Sequence, residues 1–196
     1  MRLYWPVVLR PAFNALFDID DAMAGVVARA TEPVLAVIKL AWWREELEKL
    51  DTAPPPAEPR LQAAAAELLP KSVTGRELAG LADGWAALLD ERPDVDRVQA
   101  RGELLFALGA RLLGASHSGV GEAGRLYALS DVTRRGLRDF RSAAAGPPMM
   151  RFPPRLRPLT GLAALARRDL ARGPGEAEAT PGRSWTLIRH RLSGRA

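Results

Sequence analysis

Three aspartates within four residues, Asp18, Asp20 and Asp21, form the densest acidic cluster in the sequence. On a helix Asp18 and Asp21 share a face, as two carboxylates must to grip one divalent cation. The same acids suit a solvated surface helix, and one cluster without a facing partner does not define a metal site. A second group, Asp131, Arg134, Arg135 and Asp139, mixes acids with guanidiniums and extends to Arg138 and Arg141. Four arginines within eight residues exceed what two aspartates can neutralise, so they are expected as an exposed or cavity-rim basic patch.

Other candidates are weaker. His117 sits in a Gly/Ser-rich loop and His190 in a basic terminal segment, neither with a second histidine nearby, and the chain has no cysteine. A zinc ribbon, a thiol nucleophile and a disulfide framework are thereby excluded. Gly119, Gly121 and Gly124 lie near a helix start, but no strand signal precedes them and no Lys-Ser/Thr follows, so they do not form a nucleotide loop. No catalytic residue and no metal ligand is assigned on these grounds.

The elements that must position these groups read as helices throughout. Ala, Leu, Arg and Glu dominate and β-branched residues are sparse. Pattern and punctuation predict helices over about 11–30, 33–50, 58–69, 74–92, 94–113, 122–144 and 158–172, and a closing helix from about Ser184. Thr74 and Glu77 form a capping box. Leu35, Ile38, Trp42, Leu105, Leu108 and Leu129 are expected to be buried. Gly102 and Gly109, two turns apart, mark close helix–helix approach. Gly146-Pro147-Pro148 and Pro153-Pro154 bracket an irregular segment, and 173–183 reads as a flexible stretch. The expectation is one all-helical domain over 1–196.

The composition is that of an ordinary globular protein, 47% hydrophobic and 26% charged. Charge is uneven: residues 1–124 carry 13 basic and 18 acidic side chains, net −5, and residues 125–196 carry 15 and 5, net +10. Such asymmetry points to an anionic partner for the C-terminal third: a phosphate-bearing ligand, a membrane surface or a nucleic acid. Compositional arginine bias is the plainer reading. The longest apolar stretch, Pro33 to Trp43, is interrupted by Lys39 and too short to span a bilayer. The first residues lack a cleavage site for a signal peptide. A cytoplasmic location is expected, with contact to the inner face of a membrane left open.

Several strings match a known family. Ala15-Leu16-Phe17, Thr31-Glu32-Pro33 and the run from Ile38 to Leu47, IKLAWWREEL, resemble the stretch ALYAF…EP…IRLQWWREAL of the squalene/phytoene synthase family. Residues 100–113 and 123–129 resemble its later core helices. The resemblance covers most of the chain, and the Trp-Trp-Arg-Glu string is its most specific part. It implies an isoprenoid-synthase-like helical bundle with a central cavity, shortened relative to the family's enzymes. The chain also resembles the family's non-catalytic branch, which includes a respiratory complex I assembly factor.

The family's enzymes join two prenyl diphosphates, with Mg²⁺ held between two aspartate-rich motifs on facing walls of the cavity. Laid on this pattern without gaps, the first motif falls on Ala24, Gly25 and Ala28. A four-residue gap brings in Asp20 and Asp21, with Ala24 in third place. The second motif falls on residues 129–139, where Arg134 and Asp139 match and Arg135 replaces the central aspartate. The resemblance therefore implies a catalytically degenerate protein that acts as a binding or assembly factor. It needs no cofactor, and its partners would be a prenyl diphosphate or other apolar anion, or a protein under assembly. Two alternatives stand beside it. One is an active Mg²⁺-dependent prenyltransferase using Asp20, Asp21, Asp131 and Asp139; the other is nucleic-acid or anionic-membrane binding through the basic third.

Overall fold

In the computed structural model, residues 4–144, 149–173, 176, 177 and 179–196 are described. Among them the chain is all-helical: α1 (Arg10–Ala28), α2 (Pro33–Lys49), α3 (Pro59–Glu67), α4 (Gly75–Ala79), α5 (Leu81–Ala86), α6 (Val95–Leu112), α7 (Val120–Arg134), α8 (Arg157–Arg172) and α9 (Pro181–Ser193). One isolated antiparallel bridge joins Arg151 to Arg195. No helix among the described residues is long and apolar enough to cross a membrane.

Local chemistry sets the helix starts. Glu58 accepts from the backbone N–H groups of Arg60 and Leu61 at 2.7 and 2.8 Å, and Asp94 from those of Asp96 and Arg97 at 3.0 and 3.2 Å. The Thr74–Glu77 capping box forms as the sequence predicts. The helix it opens does not run to residue 92, however. It breaks at Gly80 into α4 and α5 and ends in a 3₁₀ turn over Ala87–Leu89. A Cβ on Gly80 would stand 3.0 Å from Leu104, so the chain turns where α6 presses on it.

The helix expected over 122–144 is also shorter. α7 stops at Arg134 because Gly136 takes φ +70°, and the Leu137 N–H reaches back to the Val132 carbonyl in a Schellman turn. The C-terminal stretch read as flexible is likewise cut down: Thr180 caps α9, and Pro181–Arg183 are helical. Gly146-Pro147-Pro148 lie outside the described residues.

One contiguous apolar cluster extends from Trp5 to Ala196. α6 and α7 form its most extensive helix pair. A Cβ on Gly102 would meet the Gly124 carbonyl oxygen at 2.1 Å, and one on Gly124 the Gly102 oxygen at 2.2 Å, so only glycine fits on either side. α1 packs on α2, α3, α5 and α6, α8 lies on α7, and α9 lies on α8. Leu105, Leu108 and Leu129 are buried as expected. Leu35, Ile38 and Trp42 are not: α2 is apolar on both sides and turns Ala36, Leu40, Trp43 and Leu47 inward. That leaves Leu35, Ile38 and Trp42 exposed at 48%, 58% and 43%.

Candidate functional site

α1, α5, α6 and α7 converge on a single charged constellation. Asp20, one of the first acidic cluster, points into the core of α1 and is 1% exposed. Its carboxylate accepts from Trp85 Nε1 at 2.8 Å and from Arg101 Nη1 at 3.0 and 3.1 Å. Arg101, also buried, reaches on to Asp131 on α7 at 3.1 Å. Its guanidinium stacks 3.8 Å from the centre of the Trp85 ring. Arg135, just past the end of α7, donates to Asp131 at 2.8 Å and to Asp21 on α1. The order Asp20–Arg101–Asp131–Arg135–Asp21 thus alternates anion and cation from the core to the surface.

The electrostatics follow from this alternation. Burial pushes the Asp20 carboxyl above its ordinary range, and Arg101 opposes that shift. Burial pulls the Arg101 and Arg135 pKa values down, but their aspartates outweigh it and hold both guanidiniums above the ordinary arginine value. Burial, reinforced by Asp131 and Asp20, raises the Tyr127 hydroxyl well above its usual range.

Above the constellation opens a cavity of about 400 Å³. Arg134, Arg135 and Arg183 line it together with Asp21, Asp131 and Asp169, and Leu162, Leu165 and Ala166 of α8 make its apolar wall. Among the described residues of the lining the charges cancel, three against three. Arg183 pairs with Asp169 inside the fold, and Arg134 lies 3.5 Å from the same carboxylate.

The sequence-derived site residues divide accordingly. Asp20, Asp21, Asp131, Arg134 and Arg135 come together. Asp18 is half-buried on α1 and takes no part in the hydrogen bonds described above. Asp139 does not join Asp131: α7 has ended, and Asp139 is exposed, paired with Arg141, which holds its carboxyl down at about 2. The expected four-arginine patch is likewise split, with Arg134 and Arg135 at the cavity and Arg138 and Arg141 exposed outside it. Of the two registers for the first acidic motif, the gapped one names the acids that join Asp131 in this network, Asp20 through Arg101 and Asp21 through Arg135. Ala24 is buried and Ala28 exposed.

Sequence reasoning missed Arg101 and Trp85. A signal for Arg101 existed: it stands three residues after Val98 and four before Leu105, inside the apolar stripe of α6. A charge there must be buried with a partner. The two histidines have structural surroundings. His190 is 2% exposed, with its ring nitrogens 3.1 Å from Thr160 Oγ1 and 2.8 Å from the Arg195 carbonyl. His117 Nδ1 accepts from the Gly119 N–H at 3.0 Å.

Mg²⁺ clusters of the kind the resemblance implies need carboxylate oxygens free to face the ion. Here Asp20, Asp21 and Asp131 face guanidinium hydrogens instead, so the residues present do not fit such a cluster. Among the described residues no group of three or more His, Asp or Glu side chains is placed to hold a metal ion. Comparison with family models, with curated proteins and with solved structures finds no match to this chain.

Proposed function

We propose that this protein is a catalytically degenerate relative of the squalene/phytoene synthases, acting as a binding or assembly factor. The observation that carries the reading is the placement of Arg101 and Arg135 between the acids of α1 and α7. By the resemblance, divalent cations would neutralise diphosphates from between these acids, and guanidiniums standing there would repel such ions. A prenyl diphosphate entering the cavity would also have to displace aspartates already paired with each arginine. The outer face of α2 supports the binding role. Val34, Leu35, Val37, Ile38 and Trp42 are exposed there beside charges of both signs, Lys39, Arg44 and Glu45. An apolar face with a mixed-charge border suits a protein surface better than an anionic polymer.

The active-enzyme reading keeps one observation in its favour: acids from two walls, Asp20 and Asp21 on α1 and Asp131 on α7, do converge. The deciding experiment incubates purified protein with geranylgeranyl or farnesyl diphosphate and Mg²⁺ and separates the extracted products. No head-to-head product is expected. Steady product formation, abolished by Asp131→Ala, would overturn the proposal. The nucleic-acid reading loses ground because Arg134, Arg135, Arg141, Arg168 and Arg183 of the basic third are engaged by acids of this chain.

A further inference from the structure

α9 keeps one face on the fold and turns another outward. Arg183 and His190 are buried against α8, Arg183 on the Asp169 carboxylate and His190 beside Thr160. Across the helix Trp185, Ile188 and Leu192 are 63%, 49% and 76% exposed. At about 100° per residue these three share a sector about 60° wide, an apolar crest at i, i+3 and i+7. Arg189 lies about 40° beyond one edge of the crest and Arg191 about 60° beyond the other. Both are exposed, and among the described residues neither is paired with a carboxylate. Arg191 leans over the Tyr4 ring instead, 5.8 Å from its centre. Residues 181–196 carry four arginines and no acid. The patch continues beyond the helix on the Arg189 side. There Trp185 and Arg189 share a cavity of about 360 Å³ with Arg172 and with Met149, which is 55% exposed.

A contiguous exposed apolar patch marks a surface that something covers. α2 presents another, and its border mixes Lys39 and Arg44 with Glu45, as a protein contact does. The border of the α9 crest carries one sign only. A nucleic acid would satisfy the arginines but leave the crest against its phosphates. An anionic lipid surface meets both at once: the acyl chains take the crest, and headgroup phosphates take the guanidiniums on either side. The fold already holds α9 helical, so no free peptide has to be ordered at the bilayer. Length fits as well. Thirteen residues span about 20 Å, too short to cross a hydrocarbon core of about 30 Å and suited to lying along it. We propose that α9 docks this protein flat on an anionic membrane surface, with Trp185, Ile188 and Leu192 in the acyl boundary and Arg189 and Arg191 on headgroup phosphates. The proposal needs neither the acidic cavity nor the family resemblance, and it stands apart from the α2 face.

The test is sedimentation with vesicles of phosphatidylcholine alone and of phosphatidylcholine with phosphatidylglycerol. Binding is expected only to the second kind, and it should weaken as salt is raised. Arg189→Gln should weaken it about fivefold, and Leu192→Ser about tenfold or more. Arg92→Gln and Leu35→Ser, which make the same changes on an exposed loop and on α2, should leave it unaltered. Lipids brominated on their acyl chains should quench tryptophan emission, and Trp185→Phe should remove most of that quenching. All these positions are exposed, so the folded spectrum should be retained. Equal binding to both vesicle types, no binding to either, or equal effects of Leu192→Ser and Leu35→Ser would overturn the proposal. So would self-association that Leu192→Ser abolishes in a protein that ignores vesicles, which would make the crest a contact between copies of this chain. Release from vesicles by a stoichiometric amount of DNA would also count against it and assign the arginines to nucleic acid.

Discussion

Two cavities in this protein are each lined by three arginines, yet they offer opposite chemistry. In the one between α1, α7 and α8, Arg134, Arg135 and Arg183 face Asp21, Asp131 and Asp169, and the lining is neutral. In the one between the N-terminal turn, α8 and α9, Arg10, Arg157 and Arg191 stand beside Tyr4, Trp5 and prolines, and among the described residues no carboxylate is part of the lining. Arginine count therefore says little about anion binding; what matters is whether the chain has already supplied the anions.

The largest effect should come from breaking the first region at its root. Asp20→Ala leaves Arg101, with a fully buried side chain, facing only Asp131. Removing one partner of a buried pair typically costs about 3–5 kcal/mol, and chemical denaturation should register a loss of that order. Replacing both Asp20 and Arg101 by apolar residues of similar volume should recover much of it. Next, Gly102→Ala would push a methyl into the α7 backbone and should cost about 1–3 kcal/mol, splaying α6 from α7 and opening the first cavity.

A more selective change would convert one cavity into the other. The double variant Asp21→Asn, Asp131→Asn leaves Asp169 as the one carboxylate among the described residues that line the cavity with three arginines. Inorganic phosphate should then bind about tenfold more tightly than to the unaltered protein, the scale of one charge-assisted hydrogen bond gained. Calorimetry would measure it, and unchanged affinity would undercut the claim that internal pairing silences this cavity.

The packing of α9 on α8, beside the second cavity, should be sensitive to mild acid. Burial lowers the pKa of His190, on α9, below its ordinary 6.5; backbone hydrogen bonds to Arg195 and Arg157 oppose the shift and the Arg157 charge assists it. A histidine depressed in the fold binds protons more readily when unfolded. Its contribution to stability is therefore complete above about 6.5 and is lost as pH falls through the lower folded value. His190→Gln should flatten the pH dependence of stability just below 6.5. Smallest of all, Leu35→Ser on the exposed face of α2 should change stability by less than about 0.5 kcal/mol, against about 2–5 kcal/mol for Leu40→Ala on the buried face.

α2 also marks where the sequence became hard to read. Its apolar residues encircle the helix, so periodicity could not tell which stripe faced inward, and Leu35, Ile38 and Trp42 were expected inside when Leu40, Trp43 and Leu47 are. Where one face was clearly polar, as around Leu105 and Leu108 on α6, the inward side was legible. Asp20, Asp21, Asp131, Arg134 and Arg135 could be singled out because their types and spacing are local features. Their pairing could not, since it depends on Arg101, 81 residues from Asp20. The second cavity left no local trace at all: its arginines come from residues 10, 157 and 191, brought together only by the packing of α8 and α9 beside the N-terminal turn.

Each region carries its own tryptophan reporter, Trp85 bonded to Asp20 in the first and Trp5 unbonded in the second. The most direct test is a titration of ¹⁵N-labelled protein with inorganic diphosphate, with and without Mg²⁺, following both indole N–H signals. The expected result is that Trp85, bonded to Asp20, stays in place under both conditions. A saturable, Mg²⁺-dependent shift of Trp85 larger than that of Trp5 would contradict the account and make the acidic cavity a working metal–diphosphate site.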